Sequence, residues 1–266
     1  MRRFFAHPLP DEGLELQLAA AESRHVRVLR LAQGEQVELF DGQGGVAEAE
    51  LVALDLEGVR CRILHRRAAA ELAPASIHLL LGLPKGNKLD TIVRMLGEIG
   101  VASIHLCGCE RSVPQWKETR AQEQKLERFR KIAQEAARQS EQPCVPEVFA
   151  PAPLREAARR AGPEAMKRVC LPPSALGSPE SPAAEEEKSR SVLALSALGL
   201  WLAVGPEGGF SPKEVQGLQG MGFLPLHFDM GVLRVETAAV VAAAWGQFCL
   251  KGLFTPPHIA NNRKIG

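Results

Sequence analysis

Two stretches in the C-terminal third carry residues that could hold a ligand and act on it. Residues 204–212 read VGPEGGFSP, and residues 229–241 read DMGVLRVETAAVV. In the first, Gly205, Gly208 and Gly209 permit backbone conformations and close approaches that a Cβ would block, so a ligand can lie directly against main-chain groups. Pro206 and Glu207 stand between those glycines. In the second, Arg234 lies between Leu233 and Val235. A guanidinium there is either a solvated surface group or a fixed cation reaching into a site. Glu207 and Glu236 add carboxylates that can accept a proton or orient the arginine, and both positions also suit helix capping. Taken alone, the glycine stretch also fits a tight β–α turn with no ligand.

Two familiar phosphate loops are excluded by inspection. A P-loop needs Lys-Ser or Lys-Thr after its last glycine, and the dinucleotide fingerprint needs G-x-G-x-x-G; residues 205–214 (GPEGGFSPKE) satisfy neither. The six cysteines (61, 107, 109, 144, 170 and 249) form no C-x-x-C. Several lie in apolar runs where Cys acts as a small hydrophobe, so they read as buried thiols and no metal is expected.

The elements around these stretches follow from periodicity. After the glycines, Ser211-Pro212-Lys213-Glu214 has an N-cap serine, a proline at the first helical position and a glutamate to close a capping box. The apolar run LGLWLAVG before it is a buried strand. Upstream, IHLLLGL, VASIHLCG, CVPEVF and AMKRVCL read as strands. They alternate with a helix through Leu89, Ile92, Val93, Leu96 and Ile99 that ends at Gly100, one over about 118–139, and one at LREAARRA. LPLHF and a final helix from about Glu236 to Leu250 complete the series. Alternating β and α units predict a parallel sheet flanked by helices, with ligands at the carboxyl ends of its strands. The first seventy residues differ, with short strands (LQLAA, QVELF, VAEAELVAL, VRCRILHRR), a turn at DGQGG and one helix over about 22–30. The expected division is a β-rich domain over 1–72, an α/β domain over 73–250 with an acidic insertion at 173–192, and a tail over 251–266.

Composition sets outer limits. With 266 residues, 45% apolar and 24% charged, the chain has the make-up of a globular protein. It contains no uninterrupted apolar run of membrane-spanning length, and MRRFFAHPLPDEG does not fit a signal peptide, so a cytoplasmic location and no membrane partner are expected. The net charge of +1 hides an uneven distribution, with acids in excess over 1–70 and bases in excess over 75–170. That permits nucleic-acid binding without requiring it.

GPEGGFSPKE at 205–214 and LRVETAAVVA at 233–242 resemble the two cofactor loops of the RsmE family, SPOUT-class methyltransferases. RRFF at 2–5, RHVRVLRL at 24–31, LPKGNKLDTIV at 83–93 and CERS at 109–112 resemble family segments in the same order. The resemblance implies a SPOUT-type α/β knot domain with a deep trefoil knot, preceded by a small PUA-like RNA-binding domain. It implies transfer of a methyl group from S-adenosylmethionine (SAM) to N3 of a uridine in 16S ribosomal RNA, within the small ribosomal subunit, by a homodimer and without a metal. The final helix, with Val240, Val241, Trp245 and Phe248, would form the dimer contact.

Carried over residue by residue, the cofactor would be held by Gly205, Pro206, Glu207, Gly208, Gly209, Met230, Gly231, Leu233 and Thr237. Arg234 would stabilise the uracil anion, and Glu236 would accept the proton or orient Arg234. RNA would be gripped by Arg2, Arg3, Arg24, Arg27, Arg30, Lys85 and Arg111. At helical spacing Arg24 and Arg27 share a side, with Arg30 next in register and His25 nearby. A transfer-RNA methyltransferase and a non-catalytic RNA-binding or ribosome-assembly protein are the alternatives. This chain departs from the family where Glu141-Gln142 replaces a Gly-Arg pair and where Val235 replaces a polar residue.

Overall fold

The computed structural model describes residues 1–67, 76–112, 120–172, 199–228 and 230–250. The expected domain boundary at 72/73, the acidic insertion and the C-terminal tail lie outside them. The N-terminal part is a five-stranded sheet of order β1-β3-β4-β5-β2. Its strands are β1 (Arg2–Phe5), β2 (Glu15–Gln17), β3 (Gln36–Phe40), β4 (Val46–Asp55) and β5 (Gly58–Arg67). The expected LQLAA strand is cut short because helix α1 (Ala20–Val28) already starts at Ala20. Alternating inward residues such as Val37, Leu39, Ala47, Ala49, Leu51, Val59, Cys61 and Ile63 build the core of this unit, closed by Phe4 and Val26. Ser23 ties α1 down: its hydroxyl donates to Leu18 O at 3.1 Å and accepts from Val59 N–H at 3.3 Å.

The second sheet has six strands, all paired in parallel, in the order β11-β9-β10-β6-β7-β8. These are β6 (Ile77–Gly82), β7 (Ser103–Gly108), β8 (Glu147–Pro153), β9 (Met166–Cys170), β10 (Leu200–Val204) and β11 (Leu224–Leu226). The helices are α2 (Lys88–Ile99), α3 (Arg120–Gln139), α4 (Leu154–Ala158), α5 (Pro212–Gln219) and α6 (Val235–Leu250). One apolar cluster joins β6, β7 and β10 to α2, α3 and α6; a second lies on the opposite face under α4 and α5. Gly100 ends α2 as expected, and it does so in the left-handed conformation at φ 81°. Both family departures have a local use. Glu141 adopts φ 58° after α3, and the Gln142 side chain donates to Glu98 O at 3.0 Å, locking α3 to the end of α2. Val235, the first residue of α6, is buried in the main core.

The two units are fastened together at the C-terminal end of α3. Phe40 and Val46 pack with Ala137, and Arg138 reaches Glu22 (3.3 Å) and His25 (3.0 Å) on α1. Burial raises the Glu22 carboxyl above its ordinary range, against the pull of Arg138 and His25. His25 therefore faces the domain contact. One expected RNA contact and one helical placement need correction as well. Arg3 is turned inward, with only 7% of its side chain exposed, 2.9 Å from Glu38 and 4.4 Å over the Phe40 ring. Arg30 has left the helical row, because α1 stops at Val28 and Arg30 takes φ 55°.

Candidate active site

In an open parallel sheet the ligand crevice forms where successive connections leave in opposite directions. Here the chain runs outward from β6 through β7 to β8, then returns to the other side of β6 with β9, β10 and β11. The switch point lies between β6 and β10, and the glycine stretch leaves β10 there. The fit at this point is close. A Cβ on Gly82, the last residue of β6, would stand 2.5 Å from Pro206 Cδ and 2.6 Å from Pro206 N. The loop then folds on itself, with Gly209 N–H donating to Pro206 O at 2.8 Å and Gly209 at φ 67°. Around the position a Gly209 Cβ would take, nothing lies within 4 Å. The main chain at Gly209 is therefore open to approach.

The capping box expected at Ser211 is present: its hydroxyl accepts from Glu214 N–H (3.2 Å), and its own N–H donates to Glu214 Oε2 (2.8 Å). The other oxygen of Glu214 accepts from Glu110 N–H at 2.8 Å. Arg111 donates to Gly208 O at 2.9 Å and to Phe210 O at 3.3 Å. The CERS segment thus braces the glycine loop, and the exposed Arg111 guanidinium, expected to contact RNA, also donates through one nitrogen to loop carbonyls.

A third connection comes from the loop after β6. Glu207 accepts from Lys85 N–H on both oxygens (3.1 Å each) and from Lys88 Nζ at 2.8 Å. Lys88 also lies 3.4 Å from Glu236 Oε2, at the start of α6. Burial pulls the Glu207 carboxyl upward, but the bonds from Lys88 and the loop amides outweigh it and hold the group below its ordinary range. The hydrogen bond to Glu207 and the charges of both carboxylates raise the Lys88 ammonium above its ordinary value. Glu236 Oε2 is buried and makes no hydrogen bond. Arg234 is exposed just before α6, with Met230, Gly231 and Thr237 also exposed and Leu233 half-buried. Lys88 is a crevice residue to which sequence reasoning gave no role. The signal available was a lysine at the first position of a helix, where the macrodipole disfavours a cation.

The arrangement offers open backbone, one acceptor lacking a hydrogen-bond partner and a two-carboxylate, one-ammonium cluster, which suits a small cationic ligand carrying hydrogen-bond donors. No group of three or more His, Cys, Asp or Glu side chains among the described residues could hold a metal ion. The six thiols form no disulfide. Burial pushes Cys61, Cys109 and Cys170 up to about 12 and, with Asp41, Cys144 to about 11.

A family model for an RNA methyltransferase domain matches residues 71–247, and one for the PUA domain of RNA methyltransferases matches 18–64. The ribosomal RNA small subunit methyltransferase E of Synechocystis is 32% identical over 239 residues, covering 88% of this chain and 74% of the relative. The chain belongs to the ribosomal RNA small subunit methyltransferase E family. Another member, from Mycobacterium bovis, is 29% identical and covers 90% of this chain and 88% of its own length. Among solved structures, the family member from Neisseria gonorrhoeae, described as bound to S-adenosyl methionine, has a TM-score of 0.78 at 27% identity, with 93% and 97% of the two chains covered. A Legionella pneumophila methyltransferase described as a complex with SAM gives 0.75 at 29% identity, with 92% and 96% covered. The family segments recognised in the sequence are the ones that meet at the crevice. LPKGNK reaches it through Lys85 and Lys88, CERS through Glu110 and Arg111, and VETA through Glu236.

Proposed function

We propose that this chain uses SAM to methylate N3 of a uridine in 16S ribosomal RNA. The observation that carries the proposal is the convergence of three loops at the β6/β10 switch point, held by Lys88 between Glu207 and Glu236. Two solved relatives are described as SAM-bound, and the crevice here offers main chain open to approach at Gly209 and an acceptor without a hydrogen bond at Glu236. Gly205, Pro206, Gly208 and Gly209 would form one wall for SAM, and Met230, Gly231, Leu233 and Thr237 the other. When bound, SAM supplies a methyl group made electrophilic by its sulfonium.

The chain's own residues handle the uracil. N3 of uridine carries a proton that must leave before the nitrogen can act as a nucleophile. Glu236 Oε2 is the acceptor for that proton, since it has no competing hydrogen bond. Exposed Arg234, two residues earlier, stabilises the negative charge that develops on the uracil, as a preorganised donor does in an oxyanion hole. Arg2, Arg24 and Arg27 are exposed on the N-terminal unit and grip the RNA backbone; Arg27 also donates to Asp55 O. The Lys85 side chain, exposed at the crevice rim, adds a further phosphate contact. The protein acts as a homodimer on the small ribosomal subunit, with α6 as its contact; Phe248 there is 44% exposed, beside partly buried Val240, Val241 and Trp245.

The test is nucleoside mass spectrometry of RNA from a strain lacking the gene, with and without the gene restored. Loss and recovery of 3-methyluridine in 16S ribosomal RNA is expected. The same change confined to transfer RNA would move the substrate, and no change in methylated nucleosides would favour a non-catalytic RNA-binding role.

A further inference from the structure

We propose that Lys88 is the positioning residue of this methyltransferase: its ammonium, shared between Glu207 and Glu236, fixes the spacing of the two ligand-facing loops and orients Glu236 as the proton acceptor. The inference rests on the reading of the crevice given above and assigns a role to a residue that lies within the LPKGNKLDTIV segment but was given none there.

Local structure does not explain a lysine here. Lys88 is the first residue of α2, at the positive end of the helix dipole, and the preceding Asn87 makes no side-chain cap. The explanation is tertiary. Glu207 and Glu236 are far apart in sequence and leave different strands of the sheet, so local geometry alone does not set the distance between them. Lys88 is anchored on the first by a 2.8 Å hydrogen bond and stands 3.4 Å from the second without forming one. Glu207 is held further by the Lys85 amide, which leaves the ammonium little freedom to swing away. Exposed Arg234 and the exposed Lys85 side chain flank this junction, while two further charged groups have partners of their own. Asp90, half a turn along α2, pairs with Arg128 of α3, and Arg111 is bound to the carbonyls of Gly208 and Phe210. Lys88 is thus the cation that both carboxylates share.

A side chain that only braced the fold would act on stability. One that spaces the loops and sets the electrostatics of Glu236 must also act on affinity and on the pH dependence of the rate. Lys88→Met and Lys88→Arg in the full chain separate these roles, using SAM calorimetry and single-turnover methylation of small ribosomal subunits at saturating SAM across pH. The expected result for Lys88→Met is a several-fold weaker SAM affinity and a rate lower by on the order of 10²-fold, the scale of roughly a 1 Å misplacement. The acidic limb of its pH–rate profile should move to higher pH, because the carboxylate pair has lost the cation between its members. Lys88→Arg should restore the limb and most of the rate. The proposal is overturned if Lys88→Met binds SAM as the wild type does and keeps its rate, or if its rate falls only in proportion to SAM affinity with the limb unmoved. Failure of the wild type to methylate the subunit would count against the proposed function. The Lys88 inference is then judged by calorimetry, where unchanged SAM affinity overturns it and weakened affinity supports it.

Discussion

Gly82→Ala is the smallest change that tests whether the crevice depends on backbone contact between β6 and the glycine loop. A Cβ there would meet Pro206 Cδ at 2.5 Å and Pro206 N at 2.6 Å, against an optimal carbon separation of about 3.5–4.0 Å. About 1 Å must be absorbed, and neither neighbour can yield by rotating a side chain: one belongs to a proline ring and the other to the main chain. Overpacking of this kind costs about 1–3 kcal/mol. For a chain of this size that lowers Tm by roughly 2–4 °C per kcal/mol. Displacing Pro206 also moves Gly205–Gly209, so SAM affinity should fall by at least about tenfold, and turnover by on the order of 10²-fold if the shift reaches the reacting atoms. Differential scanning calorimetry and titration calorimetry read the two effects. Gly217→Ala in α5 is the control: nothing lies within 4 Å of its Cβ position, and alanine in a helix should stabilise by about 0.5–1 kcal/mol without touching SAM binding. A Gly82→Ala protein with wild-type Tm and SAM affinity would refute the claim that the loops meet at this point.

Other outcomes follow from the same geometry. Arg234→Ala should lose on the order of 10²–10³ in single-turnover rate while SAM affinity holds, because the guanidinium acts on charge present only during reaction; a near-wild-type rate would make Arg234 structural. Replacing exposed Arg24 and Arg27 by Gln should lower RNA affinity and reduce the salt slope by about one ion per lost phosphate contact, with SAM binding unchanged. An unaltered slope would place the docking surface elsewhere. Acid stability should depend on His105, which is stacked on Phe149 at 4.4 Å and linked through Ser103 to His78. Burial, aided by Arg160 and His78, lowers it to about 4 from its ordinary 6.5. The unfolded chain therefore takes up this proton first, and stability is lost as pH falls from about 6.5 toward 4, by up to about 3 kcal/mol. His105→Phe should flatten thermal stability over that window, and an equally steep loss in the variant would contradict the assignment.

The parallel sheet, the capping box and the stop at Gly100 were legible because each depends on residues within one turn or one strand. What stayed hidden depends on partners far away in sequence. Arg2 and Arg3 look alike as a basic N-terminus, yet parallel pairing of β1 with β3 sets Arg3 opposite Glu38 and leaves Arg2 exposed. Arg30 fits a helical row in sequence, but the helix has already ended two residues before it. Arg111 and Lys88 carry the same charge as any surface cation. Their roles appear only when the loops after β6, β7 and β10 come together at one end of the sheet. Glu236 was visible as a carboxylate at a helix start, whereas its missing hydrogen bond belongs to three-dimensional packing alone.

The most direct test of the central claim is to offer methyl-labelled SAM to the purified chain with small ribosomal subunits from a strain lacking the gene, then locate the label by nucleoside mass spectrometry and reverse transcription. N3 lies on the pairing edge of uracil, so methylation there removes a hydrogen-bond donor and should halt the polymerase at one position. A single labelled uridine per 16S ribosomal RNA is expected, methylated at N3, with a matching stop that is absent without SAM. Label on a ribose hydroxyl or a ring carbon, label only on transfer RNA, or no transfer at all would contradict it.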